Sequence, residues 1–151
     1  MNTKVDSSKV VPVSQMQGDD AEDTAKLIEM LKEAKRFLGH FSWCKNITEE
    51  YFGMGVGGIV GVYLFKIQPT KSEVDEWLWV IVGDLPPAYI VVDKSPNPAS
   101  ALNSYIKEMN EWILAAKNGK SVDNLIPVNV ATTNENAKSL VSRLKFLNEK
   151  I

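Results

Sequence analysis

Apolar residues recur at helical spacing at Leu27, Leu31, Ala34 and Leu38, behind acids at Asp19, Asp20, Glu22 and Asp23 that suit the positive end of a helix dipole. The spacing predicts a helix over about 21–39, closed by Gly39 with Lys35, Arg36 and His40 near its negative end. The β-branched and aromatic run Val60-Gly61-Val62-Tyr63-Leu64-Phe65-Lys66-Ile67 predicts a first strand that Pro69 terminates. A second strand follows at 76–82. There Trp77, Trp79 and Ile81 share one face while Leu78, Val80 and Val82 share the other, as in a central strand covered on both sides. Gly83-Asp84-Leu85-Pro86-Pro87 predicts a turn, and Ala88 to Val92 a third strand.

Asn97-Pro98 reads as a helix cap followed by proline at the first helical position. Leu102, Tyr105, Ile106, Met109, Trp112, Ile113 and Ala116 then trace an apolar stripe, which predicts a helix over about 98–118 ended by Asn118-Gly119. A third helix carries Ala137, Leu140, Val141, Leu144 and Leu147, with Thr132 and Glu135 as its capping box. The order α-β-β-β-α-α predicts an α+β fold: a three-stranded antiparallel meander packed against about three helices. Residues 1–18 have no sustained period and are expected to form a mobile tail that packs little, leaving 19–151 as a single α+β domain.

Composition narrows the class. A chain of 151 residues, 44% apolar and 24% charged, has the size of one domain that builds its core without disulfide or metal staples. A net charge of -2 disfavours a protein whose task is to coat phosphate backbones, so no nucleic-acid partner is expected. One cysteine, Cys44, forms no internal disulfide, and with one histidine, His40, it makes no usual zinc site; neither metal nor cofactor is expected. The first seventeen residues lack the apolar run of about 7–15 residues of a signal peptide, and no stretch reaches the roughly 18–20 apolar residues of a membrane span. A cytoplasmic protein without a membrane partner is expected, in which the Asn46-Ile47-Thr48 sequon carries no weight.

Catalytic motifs are suggested and then fail on context. Gly53-Met54-Gly55-Val56-Gly57-Gly58 satisfies G-x-G-x-x-G, yet strand residues follow it where a phosphate-binding glycine loop opens a helix. A flexible lead into the strand, or a β-bulge, accounts for it. Gly119-Lys120-Ser121 resembles the end of a phosphate loop, but the first glycine of that motif falls at Leu114, inside the predicted helix. His40 and Cys44, four apart, have the types of a base and a thiol nucleophile without an orienting third group. No catalytic residue is assigned.

Charge is uneven along the chain. Glu49, Glu50, Glu73, Asp75, Glu76, Asp84 and Asp93 stand against Lys66 and Lys71, so 49–93 carries about -5 and the remainder +3. The acids flank aromatics, in Asp75-Glu76-Trp77-Leu78-Trp79 and in Asp84-Leu85-Pro86-Pro87-Ala88-Tyr89. Aromatic anchors inside an acidic rim suit a basic protein partner, whereas tryptophans on a central strand equally suit the core.

Residues 75–89, together with Leu125-Ile126-Pro127-Val128-Asn129-Val130, resemble a group of small bacterial proteins of unknown function. The resemblance covers about 40–150 and implies a compact bacterial protein, with no catalytic signature to transfer. Size and acidic centre are also similar in style to immunity proteins that neutralise toxins. The expectation is a non-enzymatic protein that binds a basic protein surface through the sheet edge and the Asp84 turn, using Asp75, Glu76, Trp77, Trp79, Asp84, Leu85, Pro86, Tyr89 and Asp93. The alternative is a small hydrolase or ligand-binding enzyme with Asp75, Asp84 and Asp93 around a cleft above the sheet. A homodimer through an exposed sheet face is a third arrangement.

Overall fold

The structure is a computed structural model that describes residues 4–151. It is α+β, with three α-helices among the described residues and a five-stranded antiparallel sheet in the order β1-β2-β3-β4-β5. The strands are β1 (Val11–Pro12), β2 (Cys44–Val56), β3 (Val60–Pro69), β4 (Trp77–Gly83) and β5 (Ala88–Val91). The helices are α1 (Ala21–Gly39), α2 (Pro98–Lys117) and α3 (Asn134–Lys150). No helix among the described residues is long and apolar enough to cross a membrane.

Alternation on β3 and β4 divides the core into two layers. Val62, Leu64, Trp77, Trp79 and Ile81 face α2 and α3. Tyr63, Phe65, Leu78, Val80 and Val82 face α1, meeting Leu27, Met30, Ala34 and Leu38. Both faces of these central strands are therefore covered. Buried phenols tie each layer to the backbone: the Tyr63 hydroxyl donates to the Leu27 carbonyl at 2.7 Å and the Tyr105 hydroxyl to the Pro86 carbonyl at 2.6 Å.

The helices end as their sequences dictate. Asp20 caps α1 through the Asp23 amide, and Asn97 with Ser100 forms a reciprocal box at α2. Gly119, at φ +66, turns the chain out of α2 while the Lys120 amide reaches back to the Ala115 carbonyl, so Gly119-Lys120 is a helix exit and not a phosphate loop. At α3 the cap is Thr133 with the Asn136 amide, one residue beyond the predicted Thr132–Glu135 box.

Two strands are missing from the three-stranded prediction. β2 was hidden because Glu49, Glu50, Gly53 and Gly55 are types depleted in strands and because three register shifts break its alternation. One shift falls between Phe52 and Met54, which makes Gly53 the extra residue of a bulge: Tyr51 and Met54 reach the α2 layer, and Phe52 the α1 layer. Gly53 and Gly55 are held by close approach, since a Cβ at Gly53 would lie 2.7 Å from Pro98 and one at Gly55 2.7 Å from Leu27. The other addition is β1. Within the segment expected to be a mobile tail, Val5, Val10 and Met16 are buried, Val11 and Pro12 pair with Phe52 and Tyr51, and the Asp6 amide donates to the Pro96 carbonyl at 2.8 Å. Three apolar side chains spaced across twelve residues have no period to betray them, and only the tertiary grooves they fill make them core.

Candidate binding cleft

β5 is four residues long and lies at the sheet's outer limit, with β4 on one side and, among the described residues, no further strand on the other. An open cleft of about 1280 Å³ runs along that free edge. Its first wall is the end of α1, through Phe37, His40 and Phe41. Its second is α2, through Ser104, Lys107, Glu108, Glu111 and Trp112. The connection from α2 to α3 forms the rest, with Val122, Leu125, Ile126 and Val128 half-buried against the helices. That connection runs from 118 to 133 without regular structure, a length uncommon in compact domains unless the segment covers or forms a site.

The α1 wall is a cluster of aromatic rings. Phe41 stacks on Trp43 with centroids 4.7 Å apart, and Tyr89 meets both rings edge-on at 5.4 and 5.2 Å. Phe37 meets Phe41 edge-on at 5.1 Å. Phe37, Phe41 and Tyr89 line the cleft and are only partly buried, so they present apolar surface to it, with the Tyr89 hydroxyl as a polar handle, while Trp43 backs them from outside the lining.

The α2 wall carries charge. Burial and, next, the neighbouring Glu111 charge push the Glu108 carboxyl above the usual carboxylate range, with Lys107 opposing. Among the described residues neither Glu108 nor Glu111 is in an ion pair.

The expected site residues divide among three places. Trp77 and Trp79 are core, 5% and 0% exposed, and the Trp79 indole donates to the Ser95 carbonyl at 2.7 Å. Leu85, expected at an exposed turn tip, is buried as well. Asp75, Glu76 and Asp93 line a smaller, polar hollow of about 430 Å³ with Lys4 and Lys66, where Asp93 pairs with Lys4 at 2.7 Å. The Asp93 hydrogen bond, chiefly, raises the Lys4 ammonium above its ordinary value. Asp84 stands at the opposite end of β4, roughly 20 Å away for a strand of that length, with its carboxylate 4.0 Å from Arg143. The three acids expected around one cleft thus do not converge, and two carboxyls for glycoside hydrolysis need about 5–10 Å between them. Only Pro86 and Tyr89 of the expected set line the large cleft.

Much of the acidic middle is neutralised by folding. Glu49 pairs with Lys66 at 3.6 Å, Glu50 with Lys35 at 3.0 Å, Asp84 with Arg143 and Asp93 with Lys4. A charge block counted along the chain is here spread over both ends of the sheet and supplied with partners from α1, α3 and the N-terminal segment.

The motif candidates resolve structurally. The Gly57 amide, which a phosphate would need, donates to the Asp23 carboxylate at 2.6 Å. Burial pushes the Cys44 thiol up, away from the thiolate, and no hydrogen bond joins it to His40 among the described residues. Among the same residues, no group of three histidine, cysteine or acidic side chains is placed to hold a metal ion.

Sequence reasoning missed Phe37, Phe41, Glu108, Glu111, Trp112 and the 122–129 wall. The one available signal was the pair Glu108 and Glu111, at i and i+3 beside the α2 stripe, which puts two like charges on one helix face. Comparison of the chain with protein-family models, with curated proteins and with solved structures returns no match.

Proposed function

We propose that this protein is a non-enzymatic binding module that takes a segment of another protein into the cleft along β5. The observation that carries the reading is the coincidence of an unpaired strand edge with a cleft of about 1280 Å³ that runs its length and is walled by partly exposed aromatic rings. An unpaired edge offers backbone donors and acceptors, and half-buried aromatics offer contact area at low conformational cost. On this reading recognition stays with the sheet edge, and its centre moves from the Asp84 turn to Tyr89 and the surfaces beside it.

Selection of a random phage-displayed peptide library on the wild-type protein, in parallel with Val91→Lys, tests the reading. Val91 lines the cleft and is 40% exposed, so the lysine obstructs the site without entering the core. Enrichment on the wild type and not on the variant is expected. No enrichment, or the same peptides on both proteins, overturns it.

A further inference from the structure

The chemistry of the cleft narrows what kind of segment it takes. Pro86 and Pro87, which lack an amide hydrogen, bound the free edge at one end, and the 3-10 turn Val92–Lys94 bounds it at the other. The window between them is Ala88–Val91, about 13 Å of strand, enough to pair with roughly four residues of an extended chain. A globular surface does not reach an edge set between two walls; a single extended chain does.

Alternation then assigns the two sides. Ile90 belongs to the α2 layer and Tyr89 to the α1 layer, so a chain paired with β5 sends alternate side chains to the aromatic rings of Phe37 and Phe41 and to Glu108, Glu111 and Trp112. The first side favours an apolar side chain. On the second, two carboxylates three residues apart share a face, lack ion-pair partners among the described residues, and in the case of Glu108 are half-withdrawn from water. The remaining titratable side chains lining the cleft are His40, Lys94, Lys107, Asp123 and Tyr89. Lys107 opposes the shift at Glu108 without cancelling it. An incoming cation relieves the like-charge repulsion, and its attraction to the carboxylates offsets the cost of their partial desolvation.

Resting on the reading of the cleft as a protein-binding site, we propose that its occupant is an extended peptide that adds as a strand to β5 and seats a lysine or arginine against Glu108 and Glu111. The edge supplies register, the aromatic wall an apolar preference, and the acid pair a basic one at a position of the opposite parity.

The test uses the displayed library on three full-length proteins: wild type, Glu108→Gln with Glu111→Gln, and Glu108→Lys with Glu111→Lys. Peptides selected on the wild type carry lysine or arginine at one position with apolar residues at alternating positions. As synthetic peptides they bind about tenfold or more weaker to the glutamine variant. The lysine variant selects an acid at that position, a reversal that simple damage to the fold does not produce. Backbone N-methylation, scanned along a selected peptide, abolishes binding at every second residue, the signature of strand pairing. Peptides that bind the cleft with no basic preference, or that tolerate N-methylation everywhere, overturn the proposal while leaving the binding module intact. A library that yields no peptide at all overturns both.

Discussion

The two edges of the sheet are built to opposite ends. β2 is thirteen residues long and would offer a long template for pairing, yet three register shifts bend it, β1 covers it at Tyr51 and Phe52, and charged residues punctuate it. Glu49 there accepts from the Tyr51 hydroxyl at 2.6 Å and pairs with Lys66, while Glu50 is drawn to Lys35. Bulges, charges and a covering segment are the ordinary means of closing an edge to other chains. β5 carries neither a bulge nor a charged residue: its four residues pair with β4 in unbroken register, and Val91 is 40% exposed. Its protection is the pair of walls beside it. On the proposed reading, a short edge set in a cleft needs no blocking device, because its walls leave room for a slender extended chain.

The most severe way to break the comparison is to remove the core that both edges share. Trp79→Ala deletes a fully buried indole and its bond to Ser95, and loses about 3–5 kcal/mol in urea unfolding. Across the urea titration selected peptides then lose binding in proportion to the unfolded fraction, whereas binding that persists above the unfolding midpoint would show that β5 is organised without the core. High pH acts on both layers at once. Burial raises the Tyr63 and Tyr105 phenols far above their ordinary value of about 10, so the folded state keeps protons that the unfolded chain releases. Their contribution is complete below pH about 10 and is lost as pH rises above it, so the melting temperature falls there. Tyr105→Phe, on the β5 side, flattens that fall; a melting temperature level across this range would show the hydroxyls to be open to solvent.

Gly55→Val separates the edges. Its side chain meets Leu27 and the Val60 carbonyl, and costs about 1–3 kcal/mol by prising β2 from α1. Peptide affinity at β5 stays unchanged, and a matching loss of affinity would couple the two edges. Val91→Lys is the mildest change. It alters stability by no more than about 0.5 kcal/mol in the same urea titration, while abolishing peptide binding. A large stability loss would mean that Val91 serves the core and not the cleft.

Legibility followed the range over which each signal acts. α1 and α2 were readable almost to the residue because capping groups and apolar stripes are local, and the two-sided apolar pattern of 77–82 foretold a strand covered on both faces. β2 was not readable: the glycines that look like a loop are demanded by Leu27 and Pro98, residues 28 and 45 positions away in the chain. The site was less legible than the fold. Pro86 reached it from the predicted turn and Tyr89 from the predicted third strand, but Phe41, Glu108 and the 122–129 wall come from three separate segments.

By itself the sequence determined the three helices, the caps of α1 and α2, the strands β3, β4 and β5 and the two-sided apolar character of β4, since each rests on contacts within a few residues or on a simple period. Tertiary structure alone decided the remainder. It turned an acidic block into dispersed ion pairs by bringing in Lys35, Arg143 and Lys4, and turned an apparent tail into core. Among the described residues it left the outer edge of β5 without a strand partner, because whether a backbone group stays unpaired depends on what the rest of the chain brings beside it.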